Sequence, residues 1–410
     1  MTLGPRAATV IALACALTTA ADARDLFILQ AGGVRDSGHD AAGLIDDFLS
    51  QQGAFRALTL QPSYTATLDY LGIQNAIRMQ ASAFGTQVVL QIPSTGFSKT
   101  FTGTSPANVQ KQVRDFLEGT GAHQLAKFLE KTNAHAKLAA LDGNPRSTTA
   151  LFAANAFDRF GMGPQRTRAG DREEDVARLG HFDLAVRAGG GAVDVSHFHS
   201  LSVTDAALTL GGDRDRVGLY LSLLGQYRNY DGADIYDAGL ELGIPITVAR
   251  PGGSIPVRWS LTPVVQTGGS GSRDLLAGGF LVGGGCVSSF GWSIGPLELT
   301  VADEMLYYGG VPLGTIRGVR IETELDRWIT RNGIKLALYP LAGDWLSIEG
   351  GIKASHFLGS GAAVDSYATP FAGVDVKAFD LLRLRIGWES DFGKHDYAAH
   401  VGRLDLGFEF

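Results

Sequence analysis

The 410-residue chain has only two cysteines, Cys15 and Cys286. Cys15 falls in a predicted leader, so Cys286 alone can form neither an internal disulfide nor a zinc site. Lysine and arginine number 35 against 42 acidic residues, and charged residues make up only 19% of the chain. Without a basic surplus, the sequence predicts no nucleic-acid partner. It also predicts no metal and no cofactor, because no phosphate-binding glycine motif and no complete set of metal ligands is present.

Long apolar runs are also missing. After residue 23 no stretch reaches the roughly 18 consecutive apolar residues of a membrane helix. Only helices and closed barrels satisfy every backbone polar group in lipid. If the mature chain meets a membrane, it must therefore do so with β-strands.

A leader is present at the start of the sequence. A single positive charge at Arg6 precedes an apolar run over residues 7–17, and Ala21 and Ala23 satisfy the small-residue rule of signal peptidase. The apolar run is too short to span a bilayer as a helix, which needs ~20 residues. The sequence thus predicts a cleavable signal peptide over residues 1–23. A lipoprotein signal at Cys15 is disfavoured because Ala12 stands where leucine is preferred.

Residues 24–141 have the mixed pattern of a small α+β domain. Its size lies within the normal range for an independent domain. The predicted strands cover residues 26–29, 64–71, 73–83, 86–93 and 99–102, and the predicted helices cover residues 40–49, a segment from Ser105 to about residue 118, and residues 123–131. Residues 142–180 are predicted to hold a turn, a possible helix over residues 148–160 and a solvated linker.

From about residue 181 to residue 410, apolar and polar residues alternate with a period of two, which is typical of strands. Examples are residues 240–248, 257–262, 319–325 and 382–389. Turns are predicted at glycine-rich or Asn/Asp positions, among them residues 211–213, 268–271 and 332–333. The pattern predicts about twelve strands, enough to fill this length as an all-β transmembrane antiparallel barrel.

The polar face of these strands carries charges of both signs. In a barrel such charges would line the lumen and pair across it, whereas in a soluble sandwich they would face water. The candidate lumen residues are Glu241, Arg258, Glu298, Arg320, Glu322, Glu324, Glu349, Lys353, Asp375, Lys377, Arg383, Arg385, Glu389 and Arg403. Aromatic residues near strand ends favour the membrane barrel, since they are typical of an interfacial girdle. The candidate girdle tryptophans are Trp259, Trp292, Trp328, Trp345 and Trp388.

The last segment alternates strictly, with Leu404, Leu406, Phe408 and Phe410 as its apolar positions. It resembles the closing strands of Gram-negative outer-membrane β-barrel proteins, which commonly end on phenylalanine, although Asp405 stands where their pattern usually has glycine. The resemblance implies a location in the outer membrane, contact with its lipid, and recognition of the C-terminal strand by the barrel-assembly machinery.

Three functions remain open at this point. The first is a non-enzymatic, porin-like pore or structural barrel with a periplasmic or plug-like N-terminal domain. The second is an autotransporter-like protein, since the order of leader, domain, possible helix and barrel resembles that of autotransporters, whose helix threads the barrel and whose passenger faces outward. A barrel enzyme is disfavoured, because His197, His199, Asp194 and Asp205 show no spacing that defines a catalytic set. We therefore expect no catalytic residues.

Overall fold

The computed structural model describes two large sheets, a small two-stranded sheet, and a helical segment that lies between the two large sheets in sequence. The residues that it describes are 27–38, 44, 47–48, 52–70, 73–82, 85–118, 141–163, 181–195, 201–214, 216–230, 233–249, 257–272, 277–311, 314–316, 319–321, 325–339, 345–359, 362–378, 382–394 and 397–409. The predicted signal peptide, the predicted helix over residues 123–131, most of the predicted helix over residues 40–49, the linker at residues 164–180, His197 and His199 lie outside these residues.

The N-terminal part is a six-stranded antiparallel sheet in the order β2-β1-β3-β4-β5-β6. Its strands are β1 (Phe27–Ala31), β2 (Val34–Gly38), β3 (Tyr64–Tyr70), β4 (Ile73–Ser82), β5 (Gln87–Ile92) and β6 (Phe97–Thr102). Short 3-10 helices cover Gly53–Leu60 and Pro93–Thr95, and helix α1 covers Pro106–Glu118. The mixed α+β pattern of the sequence is therefore realised as one sheet with short helices.

One face of this sheet is buried. Phe27, Leu29, Leu68 and Tyr70 form part of its core, and Val109 and Val113 of α1 belong to the same apolar cluster. Burial raises the pKa of the Tyr70 phenol above its ordinary value. The opposite face carries the alternating polar positions of each strand, as the period of two requires.

The C-terminal part is a closed antiparallel barrel of twelve strands. They are β7 (His181–Val195), β8 (Leu201–Arg214), β9 (Val217–Tyr230), β10 (Ala233–Gly243), β12 (Val257–Ser272), β13 (Ala277–Ile294), β14 (Leu297–Val311), β17 (Asp326–Leu338), β18 (Leu346–Leu358), β19 (Ser366–Ala378), β20 (Leu382–Gly393) and β21 (Tyr397–Glu409). β21 pairs with β7 from Tyr397↔Val195 to Glu409↔Asp183, so the ring of strands has no edge.

Three further short strands accompany the ring. β11 (Ile246–Ala249) pairs with β9 and β12 beyond the end of β10. β15 (Gly314–Ile316) and β16 (Val319–Ile321) form a separate hairpin within the connection from β14 to β17. The prediction of a wall strand over residues 319–325 is therefore wrong, and Arg320 lies on this hairpin instead of in the wall.

Several predicted turns are also wrong. Residues 211–213 continue β8, residues 268–271 continue β12, and residues 332–333 lie in the middle of β17. Conversely, the continuous run predicted over residues 240–248 is broken between β10 and β11. Pro245 lies at this break, where its missing N–H cannot interrupt a ladder.

The strand directions define two ends of the barrel. At the terminal end β7 begins and β21 finishes, with His181 and Glu409 in adjoining strands. At the distal end lie the connections from β9 to β10, from β14 to β17 and from β18 to β19. Each residue of the wall can be placed between these ends by its position in its strand.

The outer face of the wall is apolar. Leu219, Leu223, Val265 and Ile386 are each more than half exposed, and many other leucines, valines and isoleucines lie on the same face. Soluble monomers rarely expose apolar surface on this scale. Among the described residues, no helix is long and apolar enough to cross a membrane.

Candidate functional site: a helix inside the barrel

The interior of the barrel contains residues 141–163 of the same chain. Helix α2 (Thr148–Ala156) begins at Ser147, whose side chain accepts a hydrogen bond from the N–H of Ala150, and a π-helical turn (Phe157–Gly161) follows. Phe152 and Phe157 have no exposed surface. The predicted helix over residues 148–160 therefore forms, and the wall surrounds it.

Glycines of the wall make room for the aromatic side chains of this internal helix. A Cβ on Gly239 of β10 or on Gly268 of β12 would collide with the ring of Phe152. Gly239 and Gly268 are register partners on adjoining strands. Together they form a flat surface without side chains, a glycine seat, against which the ring of Phe152 packs. Gly243 serves Phe160 in the same way, and Gly333 of β17 lies against Met162 and Phe157.

Ion pairs hold the N-terminal side of the segment at the distal end of the barrel. Asp142 accepts from Nε of Arg327, the second residue of β17, at 2.7 Å. Arg146 lies 2.6 Å from the carboxylate of Asp391 near the distal end of β20. The carbonyl of Gly143 accepts from the N–H of Val364, in the connection from β18 to β19.

The middle of the helix is tied to the wall by a mixture of side-chain and backbone bonds. Thr148 donates to Asp237 at 2.7 Å, and Asn155 donates to Glu241 at 2.9 Å. Arg331 donates to the carbonyl of Ala150 at 3.0 Å. Buried polar groups are costly unless bonded, so these contacts fix the rotation of the helix as well as its depth.

The C-terminal side of the segment lies toward the terminal end. Lys335, three residues before the last residue of β17, donates to the carbonyls of Met162 and Gly163 at 2.6 and 3.0 Å. Its ammonium group satisfies carbonyls that a helix end leaves without partners. Ser289 donates to the carbonyl of Gly161 at 2.9 Å.

The segment therefore runs along the barrel in one direction, from Asp142 at the distal end to Gly163 toward the terminal end. β7 then begins at the terminal end with His181. The described part of the segment thus begins at the distal end, opposite the end where β7 begins and β21 finishes.

A branching network of alternating charges joins the helix to the wall on the side of β7 and β18 to β21. Lys353 contacts Asp158 of the helix at 2.8 Å and Glu389 at 2.9 Å. The network continues from Glu389 to Arg403 and from Arg403 to Asp205. Because each charge in this network has an opposite neighbour, the interior tolerates a density of charge here that would otherwise be prohibitive.

Most of the candidate lumen residues face this interior. Glu241, Glu298, Glu349, Lys353, Asp375 and Glu389 are buried, Arg383, Arg385 and Arg403 form ion pairs within the barrel, and Arg258 and Lys377 are half-buried near the terminal end. Arg320 lies on the separate hairpin, and Glu322 and Glu324 fall outside the described residues.

Several residues that contact the internal segment were not among the candidate lumen residues. Arg327, Arg331 and Lys335 share the inward parity of β17, and their spacing of four residues was a usable signal. Asp142, Arg146 and Asp158 could not be assigned, because alternation in the strands says nothing about a segment outside the wall.

The candidate girdle tryptophans lie on the outer face or at its rims. Trp259 and Trp292 are near the terminal end, where both stack on Phe290 with centroid distances of 5.5 and 6.2 Å. Trp345 precedes β18 at the same end, while Trp328 and Trp388 are exposed toward the distal end. Leu404 is exposed on β21, and Leu406 and Phe408 are half-buried there, whereas Phe410 lies outside the described residues.

No group of three or more metal-ligating side chains occurs among the residues described. A closed antiparallel barrel with an apolar outer face and a charged interior is the architecture of outer-membrane β-barrels, and the chain has this fold. The internal helix makes it a barrel occupied by its own polypeptide.

Solved structures with similar folds include autotransporter translocator units and an outer membrane channel. The translocator domain of the autotransporter NalP from Neisseria meningitidis is 12% identical, with a TM-score of 0.37, over 58% of this chain and 91% of that one. The transport unit of the autotransporter AIDA-I from Escherichia coli is 12% identical, with a TM-score of 0.39, over 64% of this chain and 99% of that one. An outer membrane channel from Pseudomonas putida F1 is 12% identical, with a TM-score of 0.43, over 58% of this chain and 99% of that one.

No protein-family model and no curated protein sequence matches the chain.

Proposed function

We propose that this protein is a non-enzymatic outer-membrane barrel that holds its N-terminal domain on the outer side of the membrane. The direction of the internal helix carries the proposal. The segment passes from the distal end to the terminal end, so everything before residue 141 is connected through the distal end.

The proposed orientation in the membrane takes export to the periplasm as its starting point. The predicted signal peptide over residues 1–23 would deliver the chain to the periplasm, and cleavage would follow Ala23. In the proposed arrangement the terminal end of the barrel stays on the periplasmic side. The distal end, with the entry of the internal segment, then faces outward.

The apolar outer face would contact outer-membrane lipid, with the five tryptophans toward the two interfaces. Leu404, Leu406 and Phe408 on β21 would be read by the barrel-assembly machinery as the closing strand. Residues 141–163 then keep the barrel closed after assembly, so the proposal predicts little passive flow through the intact protein.

Cysteine labelling on intact cells tests the proposed orientation. In a Cys286→Ser background, single cysteines replace Ser98 in the N-terminal domain, Lys394 at the distal end, or Pro296 at the terminal end, all of which are exposed. A membrane-impermeant maleimide should label the first two positions on intact cells and the third only after lysis.

A periplasmic N-terminal domain and a barrel inserted in the opposite orientation would each give a different labelling pattern. Labelling of Lys394→Cys without Ser98→Cys would place the N-terminal domain in the periplasm and overturn the display proposal. Labelling of Pro296→Cys alone would show that the barrel is inserted in the opposite orientation. Recovery of the protein in a soluble periplasmic fraction would refute the membrane location itself.

A further inference from the structure

The N-terminal sheet has an open face whose side chains form rows across the strands. One row is continuous through all six strands, because each member is the register partner of the next. From β2 to β6 it consists of Arg35, Gln30, Thr67, Arg78, Gln91 and Ser98. A parallel row contains Thr65, Gln80, Val89 and Thr100.

These rows are accessible. Gln30, Arg35, Arg78, Gln91 and Ser98 are exposed, and Thr67 is half-buried. Neighbouring strands lie about 4.8 Å apart, which separates the two arginines by about 14 Å. The rows thus present two guanidinium groups on a flat surface of amides and hydroxyls.

The charge in these two rows is one-sided. Neither row contains a carboxylate, although the whole chain carries a formal charge of -7. The carboxylate of Asp69, farther along β3, accepts a hydrogen bond from the N–H of Asn75 at 2.6 Å. A ligand crossing the rows therefore meets donors and positive charge.

We propose that this face binds an anionic glycan, a chain bearing sulfate or carboxylate groups and many hydroxyls. Arginine pairs bidentately with planar or tetrahedral oxyanions, and Gln, Thr and Ser exchange hydrogen bonds with hydroxyls. Val89, half-buried, is the one apolar side chain in the two rows. The rows therefore lack the aromatic anchors of a protein interface and the stacking platform of a single-stranded nucleic acid.

Heparin, as a probe, tests the proposal with the purified full-length protein in detergent. Arg35→Gln combined with Arg78→Gln should weaken heparin binding about tenfold, since two charge-assisted contacts are lost. Arg56→Gln is the matched control, because Arg56 is exposed on the 3-10 helix over Gly53–Leu60 and lies outside both rows. Added salt should weaken binding of the unaltered protein.

A second variant separates loss of binding from loss of folding. Thr100→Glu places a negative charge in the second row at an exposed strand position, and it should also weaken heparin binding. Circular dichroism should be unchanged in both variants. The proposal is overturned if the unaltered protein does not bind heparin, if the double variant binds as tightly as Arg56→Gln, or if single-stranded DNA competes as well as heparin.

Discussion

Glycines on the inner wall decide where the internal helix can rest. Gly239, Gly268 and Gly333 occupy strand positions at which a side chain would strike the helix. Glycine weakens a strand because it packs nothing and orders at an entropic cost. The wall accepts this cost because the aromatic rings of the helix fill the space that each glycine leaves.

Gly333→Val should destabilise the folded barrel by about 1–3 kcal/mol, the usual cost of overpacking. Its Cβ would meet Met162 and Phe157, both of which belong to the internal segment. The temperature at which the compact form is lost on electrophoresis measures the effect. Met162→Ala should restore part of the loss, and Gly271→Val is the control, because nothing lies within 4 Å of a Cβ at that position. Equal destabilisation by Gly333→Val and Gly271→Val would show that Gly333 does not make room for Met162 and Phe157.

Asp142→Asn should loosen the distal anchor of the segment. It leaves the Arg327 guanidinium buried without its carboxylate, and breaking a buried pair in this way costs about 3–5 kcal/mol. Asp365→Asn is a matched control at the same end, since its pair with Lys394 is exposed and worth about 0–1 kcal/mol. In planar bilayers, the barrel of the Asp142→Asn variant should open more often than the barrel of the Asp365→Asn variant. Indistinguishable traces would show that the distal pairs do not hold the segment.

At the scale of elements, the internal helix contacts the barrel wall through its backbone as well as through its side chains. Arg331 and Lys335 donate hydrogen bonds to backbone carbonyl oxygens of the internal segment. Such bonds depend on the helical shape more than on the sequence of the segment. Changing the shape should therefore affect the barrel more than changing individual helix side chains.

Replacing residues 141–163 by a flexible Gly-Ser segment of equal length should raise the conductance several-fold. A flexible chain cannot fill the glycine seats or present ordered carbonyls to Lys335, and water would enter beside it. Conductance in planar bilayers provides the measurement, with the unaltered protein as reference. Unchanged conductance would mean that something other than this helix blocks the lumen.

The strand elements could be predicted because their alternation is imposed by burial on one face. The count of about twelve strands is confirmed by the ring from β7 to β21. The turns predicted at residues 268–271 and 332–333 are wrong for one physical reason. Gly268 and Gly333 make room for side chains of the segment inside the barrel, and local sequence cannot distinguish this from a need to turn.

The site was predictable only in part. Inward parity identified Glu241, Lys353 and Glu389, which contact Asn155, Asp158 and Arg403. The partners on the helix were not predicted, because they depend on which segment enters the barrel and in which direction. That information resides in tertiary contacts between residues about 90 to 200 positions apart, such as Thr148 with Asp237 and Lys353 with Asp158.

At the scale of the whole molecule, the seam between β21 and β7 completes the ring. Phe408 pairs with Leu382 on one side and Leu184 on the other. Phe408→Asp should reduce the yield of folded barrel in the outer-membrane fraction several-fold, because a charge on the lipid face destabilises the barrel and the closing strand must pair on both sides. Gly407→Ala, whose Cβ would meet only Arg383 at 3.8 Å, should be silent. Equal yields of the two variants would contradict a lipid-facing seam.

The threaded segment also has a mechanical consequence. A tether that passes through a closed ring transmits tension along the ring axis. A pull on the N-terminal domain would load the pairs of Asp142 with Arg327, Arg146 with Asp391 and Asp158 with Lys353 in shear, all in parallel. No strand would be peeled from the sheet at an edge, since the ring has none. In the proposed arrangement, the barrel would therefore resist drag on the N-terminal domain without losing a strand.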